Sequence, residues 1–439
     1  MVTKLLLSLV CYLFLFSPRA FAATLTVSPG SSIQSAINTA QAGDLIQVLA
    51  GNYQEQITIS KSLSLKAIGS AKTLGFIIKA DGITIEGFDI SSPKTSSGFG
   101  VRIYNSNCKV LNNYIHDTWW DGILLEASSN NCRISNNKIE RASQSGAEVR
   151  GSGHIIEYNE ITDTIQTPPG SSFTRSDGAD SDGFRFFGNN HSFIGNYIHD
   201  IKEGTATNPN PHMDCFQSWK DRSPRSQATN IVFRDNRCML SWGNDKESSA
   251  KMFQFGNVVG ATVENNISRT RMVSIVQDGS RDITFLRNTF VGDGPQSWGI
   301  ELNSGVTNVT VRDNIFYHQE NGYGYLPKSV TVLDAGHNCV YTITRTPPGR
   351  QNPGDIWGKD PLFVNYAQDD FNLKPNSPCL GTGAIASSSP TPTPAYKPGD
   401  LNTDGSVNLL DFNLLIKKFG NPYTLLDFNT IVANFGKTR

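Results

Sequence analysis

Short runs of alternating apolar and polar residues recur through the middle of the chain, and each run ends in a turn that contains asparagine. The runs are VLNNYI, ISNNKI, IEYNEI, FIGNYI, VFRDNR, TVENNI, TFLRNTF and TVRDNI. Runs this short, with β-branched or aromatic residues on alternate positions, are typical of β-strands and not of helices. The aligned asparagines are Asn113, Asn137, Asn159, Asn196, Asn236, Asn266, Asn288 and Asn314, separated by 24, 22, 37, 40, 30, 22 and 26 residues.

A second short strand precedes each asparagine turn, in segments such as GILLE, GFRFF, CFQSW, MFQFG and GIEL. Several strands in so short a repeat predict stacked supersecondary units, each unable to fold alone. We therefore predict an all-β fold, a parallel β-helix whose rungs pair with one another. Asparagine suits the turn because it tolerates left-handed backbone and because stacked amides hydrogen-bond along the axis. The L-x-x-L-x-L frame of a leucine-rich repeat, the main rival by period, is absent.

The start of the repeat region predicts a cap for the stack. Ile33, Ala36, Ile37 and Ala40 have the spacing of one helical face, so a short helix can cover the open end. The stretch SIQSAINTAQAGDLIQVLAGNY, the asparagine-turn rungs and the later DPLFVNYAQDDFNLKPNSPC resemble the secreted right-handed parallel β-helix proteins of the pectate-lyase-like superfamily. The resemblance covers roughly residues 24–385. It implies a right-handed parallel β-helix and leaves the substrate open.

The two ends of the chain differ from the repeat. Lys4, an apolar run over residues 5–16 and the motif Ala-Phe-Ala at 20–22 predict a cleaved signal peptide, with an uncleaved anchor as the alternative. No other long apolar run occurs, so we expect an exported protein without a membrane span. The Pro/Thr-rich ASSSPTPTPAYK predicts an extended linker. The predicted divisions are a signal peptide (1–22), a parallel β-helix (23–385), a linker (386–397) and a C-terminal module (398–439).

Charge and cysteine content narrow the class of protein. The 439 residues carry a net charge near −1, which argues against a nucleic-acid partner because such a partner requires a basic patch. Export permits disulfides. After Cys11 leaves with the signal peptide, no C-x-x-C pair remains, so the cysteines are either local disulfide staples or small buried residues. They are Cys108, Cys132, Cys215, Cys238, Cys339 and Cys379.

Three intervals between the asparagines exceed the regular spacing, and the excess falls in consecutive rungs. The inserted segments are roughly 164–181, 202–213, 220–227 and 242–250. Insertions on a rigid repeat usually carry function, so the active region is expected here.

Alignment of the strands in these rungs predicts columns of side chains. One column contains Asp121, Ser145, Asp182, Asp214 and Lys251. A second column, three positions later in each strand, contains Leu124, Glu148, Arg185, Gln217, Gln254, Val276 and Glu301. Between them an apolar, inward column contains Ile123, Ala147, Phe184, Phe216, Phe253, Ile275 and Ile300. Because neighbouring rungs lie about 4.8 Å apart, residues of one column should be stacked, with the second column beside the first and facing outward.

The stacked polar residues suggest an acid–base site. Two carboxylates this close cannot both ionise freely unless a cation lies between them. The candidate catalytic residues are Asp182, Asp214, His212, Lys251 and Arg185. The candidate substrate-binding residues are Glu148, Gln217, Gln254, Trp219 and Trp242. The carboxylates Asp177, Asp180 and Asp182 also suggest a Ca²⁺ ion in the cleft.

This set of residues fits two chemistries. In a glycoside hydrolase one Asp is the acid and the other activates water or attacks the sugar. In a lyase, Ca²⁺ or Arg neutralises a uronate carboxylate while Lys or Arg removes the neighbouring carbon-bound proton. Lys251 resembles the Lys of chondroitinase B-like and alginate lyases, but the next rung has Gln277-Asp278-Gly279 where those enzymes have Arg-His-Gly.

The C-terminal module contains a calcium loop. Oxygen-bearing residues occupy positions 1, 3, 5, 7, 9 and 12, with Gly405 at position 6, which is the EF-hand pattern. The predicted ligands are Asp400, Asn402, Asp404, Ser406, Asn408 and Asp411. LLDFN and a closing FG occur twice, sixteen residues apart, each with helical spacing of apolar residues. Residues 399–439 resemble a type I dockerin, which implies a small all-α module, although the second copy lacks its loop; one Ca²⁺ is therefore expected.

The sequence thus predicts a secreted polysaccharide-degrading enzyme. The dockerin resemblance implies a cohesin-bearing scaffold protein as partner. Hydrolysis is favoured over elimination because dockerins mostly accompany glycoside hydrolases and the lyase Arg motif is missing. The alternatives are a polysaccharide lyase acting on a uronate-containing glycan, and a non-catalytic carbohydrate-binding or adhesin β-helix.

Overall fold

A computed structural model describes ten ranges of the chain and four short C-terminal pieces. They are residues 22–95, 98–165, 180–201, 212–220, 227–240, 249–292, 297–318, 324–325, 331–342 and 351–385, with 407, 409–417, 431–432 and 435. In these ranges the strands stack in parallel on three faces, and successive rungs lie in register. The predicted all-β parallel β-helix is confirmed.

Face A is an eleven-stranded parallel sheet. Its strands are β3 (Ile57–Ile59), β5 (Phe76–Ile78), β8 (Val101–Ile103), β11 (Ile123–Leu125), β14 (Ser145–Val149), β17 (Asp182–Phe186), β21 (His212–Ser218), β24 (Ser249–Gly256), β27 (Met272–Gln277), β30 (Trp298–Leu302) and β33 (Gly324–Tyr325).

Faces B and C are connected into one 25-stranded sheet by a long strand that pairs with both. Face B contains β1 (Thr24–Val27), β2 (Leu45–Asn52), β4 (Ser64–Thr73), β6 (Thr84–Glu86), β9 (Lys109–Leu111), β12 (Arg133–Ser135), β15 (Ile155–Glu157), β18 (Gly188–Asn189), β19 (Ser192–Ile194), β22 (Ala228–Arg234), β25 (Val258–Glu264), β28 (Arg281–Leu286), β31 (Thr307–Arg312) and β34 (Thr331–Gly336). Face C contains β7 (Asp89–Ile90), β10 (Tyr114–His116), β13 (Lys138–Glu140), β16 (Glu160–Thr162), β20 (Tyr197–His199), β23 (Arg237–Met239), β26 (Ile267–Thr270), β29 (Thr289–Gly292), β32 (Ile315–Tyr317), β35 (Cys339–Tyr341) and β36 (Ile356–Trp357).

Apolar side chains from all three faces fill the centre of the stack. On face B, for example, Val110, Ile134, Ile156, Phe193 and Phe233 follow one another at the same inward position and are fully buried. Burial of a continuous apolar column is the main stabilising term of such a fold, and no rung can achieve it alone.

A helix covers the N-terminal end of the stack, as the spacing of its apolar residues predicts. Helix α1 (Ile33–Thr39) buries Ile33 and Ile37 against the first rungs, and the Ser32 hydroxyl caps it by accepting from the backbone N–H of Ser35. The Glu55 carboxylate accepts from the backbone N–H of Ile33 and from the Ser32 hydroxyl, which ties the helix to the following rung. Ser32 and Glu55 together therefore satisfy the free N–H groups in the first turn of the helix.

The recurrent asparagines form a buried ladder at the turn between faces B and C. Each backbone N–H and side-chain N–H of one asparagine donates to the Oδ1 of the asparagine one rung on, over 2.9 to 3.1 Å. The ladder extends beyond the sequence repeats to Asn338, whose N–H donates to the Asp355 carboxylate at 2.9 Å. The predicted stacking along the axis is confirmed.

The left-handed backbone at this turn belongs to a different residue from the one the sequence suggested. The residue before the stacked asparagine has the positive φ, as at Asn112 (φ 56°) and Asn136 (φ 55°). Asn113 itself follows the left-handed position and contributes its amide. The stacked asparagine is therefore selected for its hydrogen bonds and not for its conformational tolerance.

The described C-terminal end of the solenoid has its own small core. The antiparallel strands β37 (Phe363–Asn365) and β38 (Asp370–Leu373) flank a 3-10 helix at Tyr366–Gln368.

Both interpretations of the cysteines hold: Cys215–Cys238 and Cys339–Cys379 are disulfides, whereas Cys108 and Cys132 are free and buried.

The C-terminal module is described only in part. Helix α2 (Leu409–Lys417) buries Leu415 against Val407 and Ile431. Asp411, in its first turn, is fully buried, whereas the other predicted calcium ligands, Asp400, Asn402, Asp404, Ser406 and Asn408, lie outside the described residues, as do residues 1–21 and 386–397. The module boundaries and its all-α character remain predictions. Within the described ranges, no helix is long and apolar enough to cross a membrane.

Candidate active site

Face A presents two outward side chains per rung, separated by two inward ones. In β17, Phe184 is fully buried, and a Cβ on Gly183 would lie 2.9 Å from the Ile198 side chain, so both positions face the core. Asp182 and Arg185 consequently share the outer side, although a regular strand would place residues three apart on opposite faces. Arg185 Nε lies 2.8 Å from Asp182 Oδ2.

The same spacing recurs in the neighbouring rungs. Gln217 Nε2 donates to Asp214 Oδ2 at 3.1 Å, again three residues apart in one strand. Ser145 pairs with Asp182, and Asp214 pairs with Lys251, so the first column stacks as the alignment predicts. The second column is also in register over its first five members, Leu124, Glu148, Arg185, Gln217 and Gln254.

One rung further, the sequence-based register is wrong by one residue. Ser274, and not Ile275, lies inward between Phe253 and Ile300, and Ile275, not Val276, follows Gln254 in the outward column. The error follows from placing the hydrophobic Ile275 on the core side, whereas in this strand the inward position is occupied by the small polar Ser274.

Asp182 and Arg185 form a buried ion pair. The Asp182 side chain is fully buried, and its Oδ1 accepts from the backbone N–H of Asp214 at 3.1 Å. Burial raises the pKa of Asp182 well above its usual value, Asp180 and Asp214 add to the rise, and Arg185 opposes it. Arg185 also donates to Gln144 Oε1 at 3.3 Å. The guanidinium is thus fixed in direction by two partners on different rungs.

Asp214 and Lys251 form a second buried pair on the adjacent rungs. Lys251 Nζ lies 3.0 Å from Asp214 Oδ1, with side chains only 1% and 0% exposed. Burial raises the pKa of Asp214, while Lys251 and His212 oppose the rise. The contact between Lys251 Nζ and Asp214 Oδ1 has the length of a hydrogen bond, which is a path along which a proton can pass between the two groups.

His212 is exposed and Asp180 is partly exposed, and the two lie beside each other at the edge of the site. His212 Nδ1 lies 3.8 Å from Asp180 Oδ2, and its backbone N–H donates to Asp180 Oδ1 at 3.1 Å. Gln217 Nε2 reaches the same carboxylate at 3.4 Å. The structure thus places His212 at the exposed rim of the site, beside Asp180.

The predicted substrate-binding residues lie beside these pairs where the structure describes them. Glu148 is bound by Arg150, and Gln254 is buried next to Gln217 in the second column. Trp219 lies under the Arg185 guanidinium, 5.5 Å from ring centroid to Cζ. Trp242 and Asp177 lie outside the described residues.

Asp121, which the sequence places in the first column but not among the candidate catalytic residues, also belongs to the site. Its carboxylate accepts from the Ser145 hydroxyl at 2.6 Å at the N-terminal end of the first column. Burial raises the pKa of Asp121 to about 7, Glu148 adds to the rise and Arg185 opposes it. The feature of the sequence that indicates this residue is the Asp-Gly pair repeated at the start of two face A strands. Neither Gly122 nor Gly183 has room for a Cβ, so both pairs need glycine at the same inward position, directly after the Asp.

The residues suggested for a cleft calcium ion are only partly described. Among the residues with described positions, no group of three or more His, Cys, Asp or Glu side chains could hold a metal ion. The fully buried carboxylate Asp411 suits the last ligand of the C-terminal calcium loop. The cleft ion and the loop ion both remain predictions.

The geometry defines a buried polar strip on one face of the solenoid, in which Asp182 pairs with Arg185 and Asp214 pairs with Lys251. The sequence pattern of the family described as "Right handed beta helix region" matches residues 51–163 and 121–339, which together exceed half of the chain. The chain belongs to this family, and the right-handed parallel β-helix is confirmed.

Two solved structures share the fold over most of this chain. Pectate lyase Pel9A has a TM-score of 0.52 at 16% identity, covering 84% of this chain and 94% of that one. The PL6 family alginate lyase AlyGC has a TM-score of 0.54 at 10% identity, covering 84% of this chain and 57% of that one. At these identities the likeness is one of fold.

A curated sequence relative matches a shorter stretch. A cell surface glycoprotein of Methanothermus fervidus is 35% identical over 102 residues, which is 21% of this chain and 16% of the relative. The chain therefore spans less than a fifth of the length of that protein.

Proposed function

We propose that this protein is a polysaccharide lyase that cleaves a uronate-containing glycan by β-elimination. The observation that carries the proposal is the buried Lys251–Asp214 pair, with a contact of 3.0 Å, stacked directly on the Asp182–Arg185 pair. Elimination needs a base, a proton reservoir and a cation for the sugar carboxylate. These four side chains supply all three.

Lys251, Asp214 and Arg185 have different roles in the proposed reaction. Lys251, having passed its proton to Asp214, takes the proton from the sugar carbon next to the carboxylate. The electron pair of that C–H bond forms a double bond to the neighbouring carbon, whose bond to the glycosidic oxygen breaks. The departing oxygen takes the proton held by Asp214 and leaves as a hydroxyl, which returns Asp214 and Lys251 to their starting protonation states. Arg185 pairs with the uronate carboxylate, which acidifies the proton to be removed.

Elimination fits the site better than the hydrolysis that the C-terminal resemblance favours. A glycosidase places its two carboxyl groups on either side of the scissile bond. Asp182 and Asp214 lie on the same side, on adjacent strands, and each is engaged by a cation of its own. The two similar structures named for pectate lyase and alginate lyase activity support the same choice.

We further propose that the protein is exported and carries a calcium-dependent tether. The cell surface glycoprotein relative supports an extracellular location. The duplicated LLDFN segments place Leu415 and Ile431 at equivalent positions, and both are buried against each other. That packing supports a two-helix, dockerin-like module with a cohesin-bearing scaffold as partner. A Ca²⁺ ion near Asp177, Asp180 and Asp182 is proposed as a second cation for the uronate.

A panel of polysaccharides tests the reaction. The full chain is incubated with polygalacturonate, alginate and neutral glycans, with and without Ca²⁺. New reducing ends together with ultraviolet absorbance of unsaturated uronates are the expected result. Reducing ends without that absorbance would establish a hydrolase. Binding without any new ends would establish the non-catalytic carbohydrate-binding or adhesin alternative.

A further inference from the structure

The first outward column does not end at Lys251. Lys251 pairs with Met272 on the next strand, and Met272 pairs with Trp298 on the strand after that. Trp298 therefore occupies the same column position as Asp182, Asp214 and Lys251. Two rungs separate it from Lys251, a distance of about 10 Å along the solenoid axis.

Trp298 leaves a large part of its indole exposed on the outer side of its rung. Its strand repeats the face A arrangement, because Gly299 and Ile300 are buried and Glu301 is outward. Leu302 and Ile300 fill the core at this level. Trp298 is 39% exposed and follows the partly exposed Met272 and Ile275 of the preceding strand, and a contiguous exposed apolar patch of this kind marks an interaction surface in many proteins.

The chemistry of the two columns changes along the axis. On the N-terminal side of Lys251 the outward residues are polar or charged, as at Arg185 and Glu148. On the C-terminal side the first column continues as Met272 and Trp298, and in the second column Ile275 precedes Glu301. Three of these four side chains are apolar, and all are partly or largely exposed. A glycan laid along the axis would thus meet charge-pairing groups at one end of the site and a flat apolar surface at the other.

We propose that Trp298 is a sugar-binding subsite, in which the indole stacks on the apolar C–H face of a pyranose ring of the bound polysaccharide. Glu301 lies three residues later on the same strand and also faces outward. In this subsite its carboxylate accepts hydrogen bonds from the hydroxyls of the stacked pyranose. The inference rests on the proposed function, since it places the substrate chain along the two columns with the reacting unit at Lys251.

Chain-length dependence of binding tests the subsite. The probes are oligogalacturonates and oligomannuronates of graded length, assayed with the full chain. Trp298→Ala is expected to raise KM for long oligomers roughly three- to tenfold, as expected for loss of one aromatic contact, and to leave kcat unchanged. Short oligomers that do not reach Trp298 should bind as before. Trp298→Phe, which keeps a ring, should recover most of the affinity.

The matched control is Ile155→Ala, on face B, because Ile155 is 42% exposed and lies away from the two columns. It should leave KM unchanged at every length. Equal KM values for Trp298→Ala and wild type at all lengths would overturn the subsite. If the wild-type chain shows no turnover, calorimetric titration with the same oligomers decides the matter. Binding that is weaker in Trp298→Ala than in the wild type would then support the subsite and reject only the lyase. If neither protein binds, or if both bind equally well, the subsite is rejected.

Discussion

The asparagine ladder and the outward columns of face A are both stacks of polar side chains at equivalent positions in successive rungs. In the ladder every rung contributes the same neutral amide, and each amide hydrogen-bonds to the next. In the first column of face A, the rungs contribute different groups, from Ser145 and Asp182 to Asp214 and Lys251. Both stacks are buried, so burial does not separate them.

The difference lies in how each stack resolves the cost of burying polar atoms. An amide is both donor and acceptor, so one residue type repeated along the axis satisfies itself without any net charge. The face A column needs cations to neutralise its carboxylates, and burial raises the pKa of Asp182 and Asp214 even so. Uniform stacks stabilise a solenoid, whereas a mixed stack is costly and is expected where chemistry is done.

The largest expected effect comes from removing Lys251. Lys251→Met leaves Asp214 buried without its cation, which should lower the free energy of unfolding by about 3–5 kcal/mol. Turnover of the polysaccharide should fall about 10³-fold or more, because the base is lost. The matched control is Lys138→Met on face C, where Lys138 Nζ also lies 3.0 Å from a carboxylate, that of Glu160. It should leave turnover unchanged.

A double variant separates fold from chemistry in the same column. Asp214→Leu combined with Lys251→Met replaces the buried pair by apolar groups, so urea unfolding should return close to the wild-type stability. Turnover should stay as low as in Lys251→Met. A double variant that remains as unstable as the single one would mean that the column is structural, like the ladder.

Interrupting the ladder should cost stability alone. Asn196→Ala removes the acceptor of the Asn159 backbone N–H, at 3.1 Å, and the donor to the Ile156 carbonyl, at 2.9 Å. Two buried backbone groups lose their partners, so the free energy of unfolding should fall by about 2–5 kcal/mol. KM and kcat of any remaining folded protein should not change. The exposed Asn189→Ala is the control, and an equal loss there would contradict the special role of the ladder.

The sequence could predict the ladder because every rung repeats one residue at one place. It could also align Asp182 with Asp214 and Lys251, because fully apolar positions such as Phe184 and Phe216 fix the register between them. It could not predict the two adjacent inward positions of each face A strand, since strict alternation allows only one. The bend at these two positions turns Ile275 outward and sets Trp298 in the outward column, neither of which follows from strict alternation.

A pH series should distinguish the charged column from the neutral ladder. The pKa of Asp121 is raised to about 7 by burial, so the folded state keeps its proton in a range where the unfolded chain has lost it. The stability contributed by that proton is complete below about pH 4 and declines up to about pH 7. Asp121→Asn removes the decline, and the variant should gain at least about 1 kcal/mol relative to wild type between pH 5 and pH 8.

Asp117 supplies a control of the opposite sign for this pH series. A hydrogen bond from Arg141 lowers the pKa of Asp117 to about 2. Its contribution is present above about pH 4 and is lost as pH falls through 2. Asp117→Asn should therefore cost more stability at pH 5 than at pH 2, below the range in which the neighbouring His116 titrates, as measured by thermal unfolding. A flat difference for Asp121→Asn would show that its carboxyl titrates normally.

The smallest effect is expected at Ser274, a stacked polar residue that belongs to neither arrangement. It is inward between Phe253 and Ile300, and its buried hydroxyl has no hydrogen-bond partner in the described part of the chain. Ser274→Ala removes a desolvated polar atom without losing a contact, so the free energy of unfolding should rise by about 1 kcal/mol. The control is Ser280→Ala, because the buried Ser280 hydroxyl accepts from the Val258 N–H at 2.9 Å and should cost a similar amount when removed. Destabilisation by both variants in urea unfolding would mean that Ser274 has a partner, and that even the inward column of face A carries a polar network.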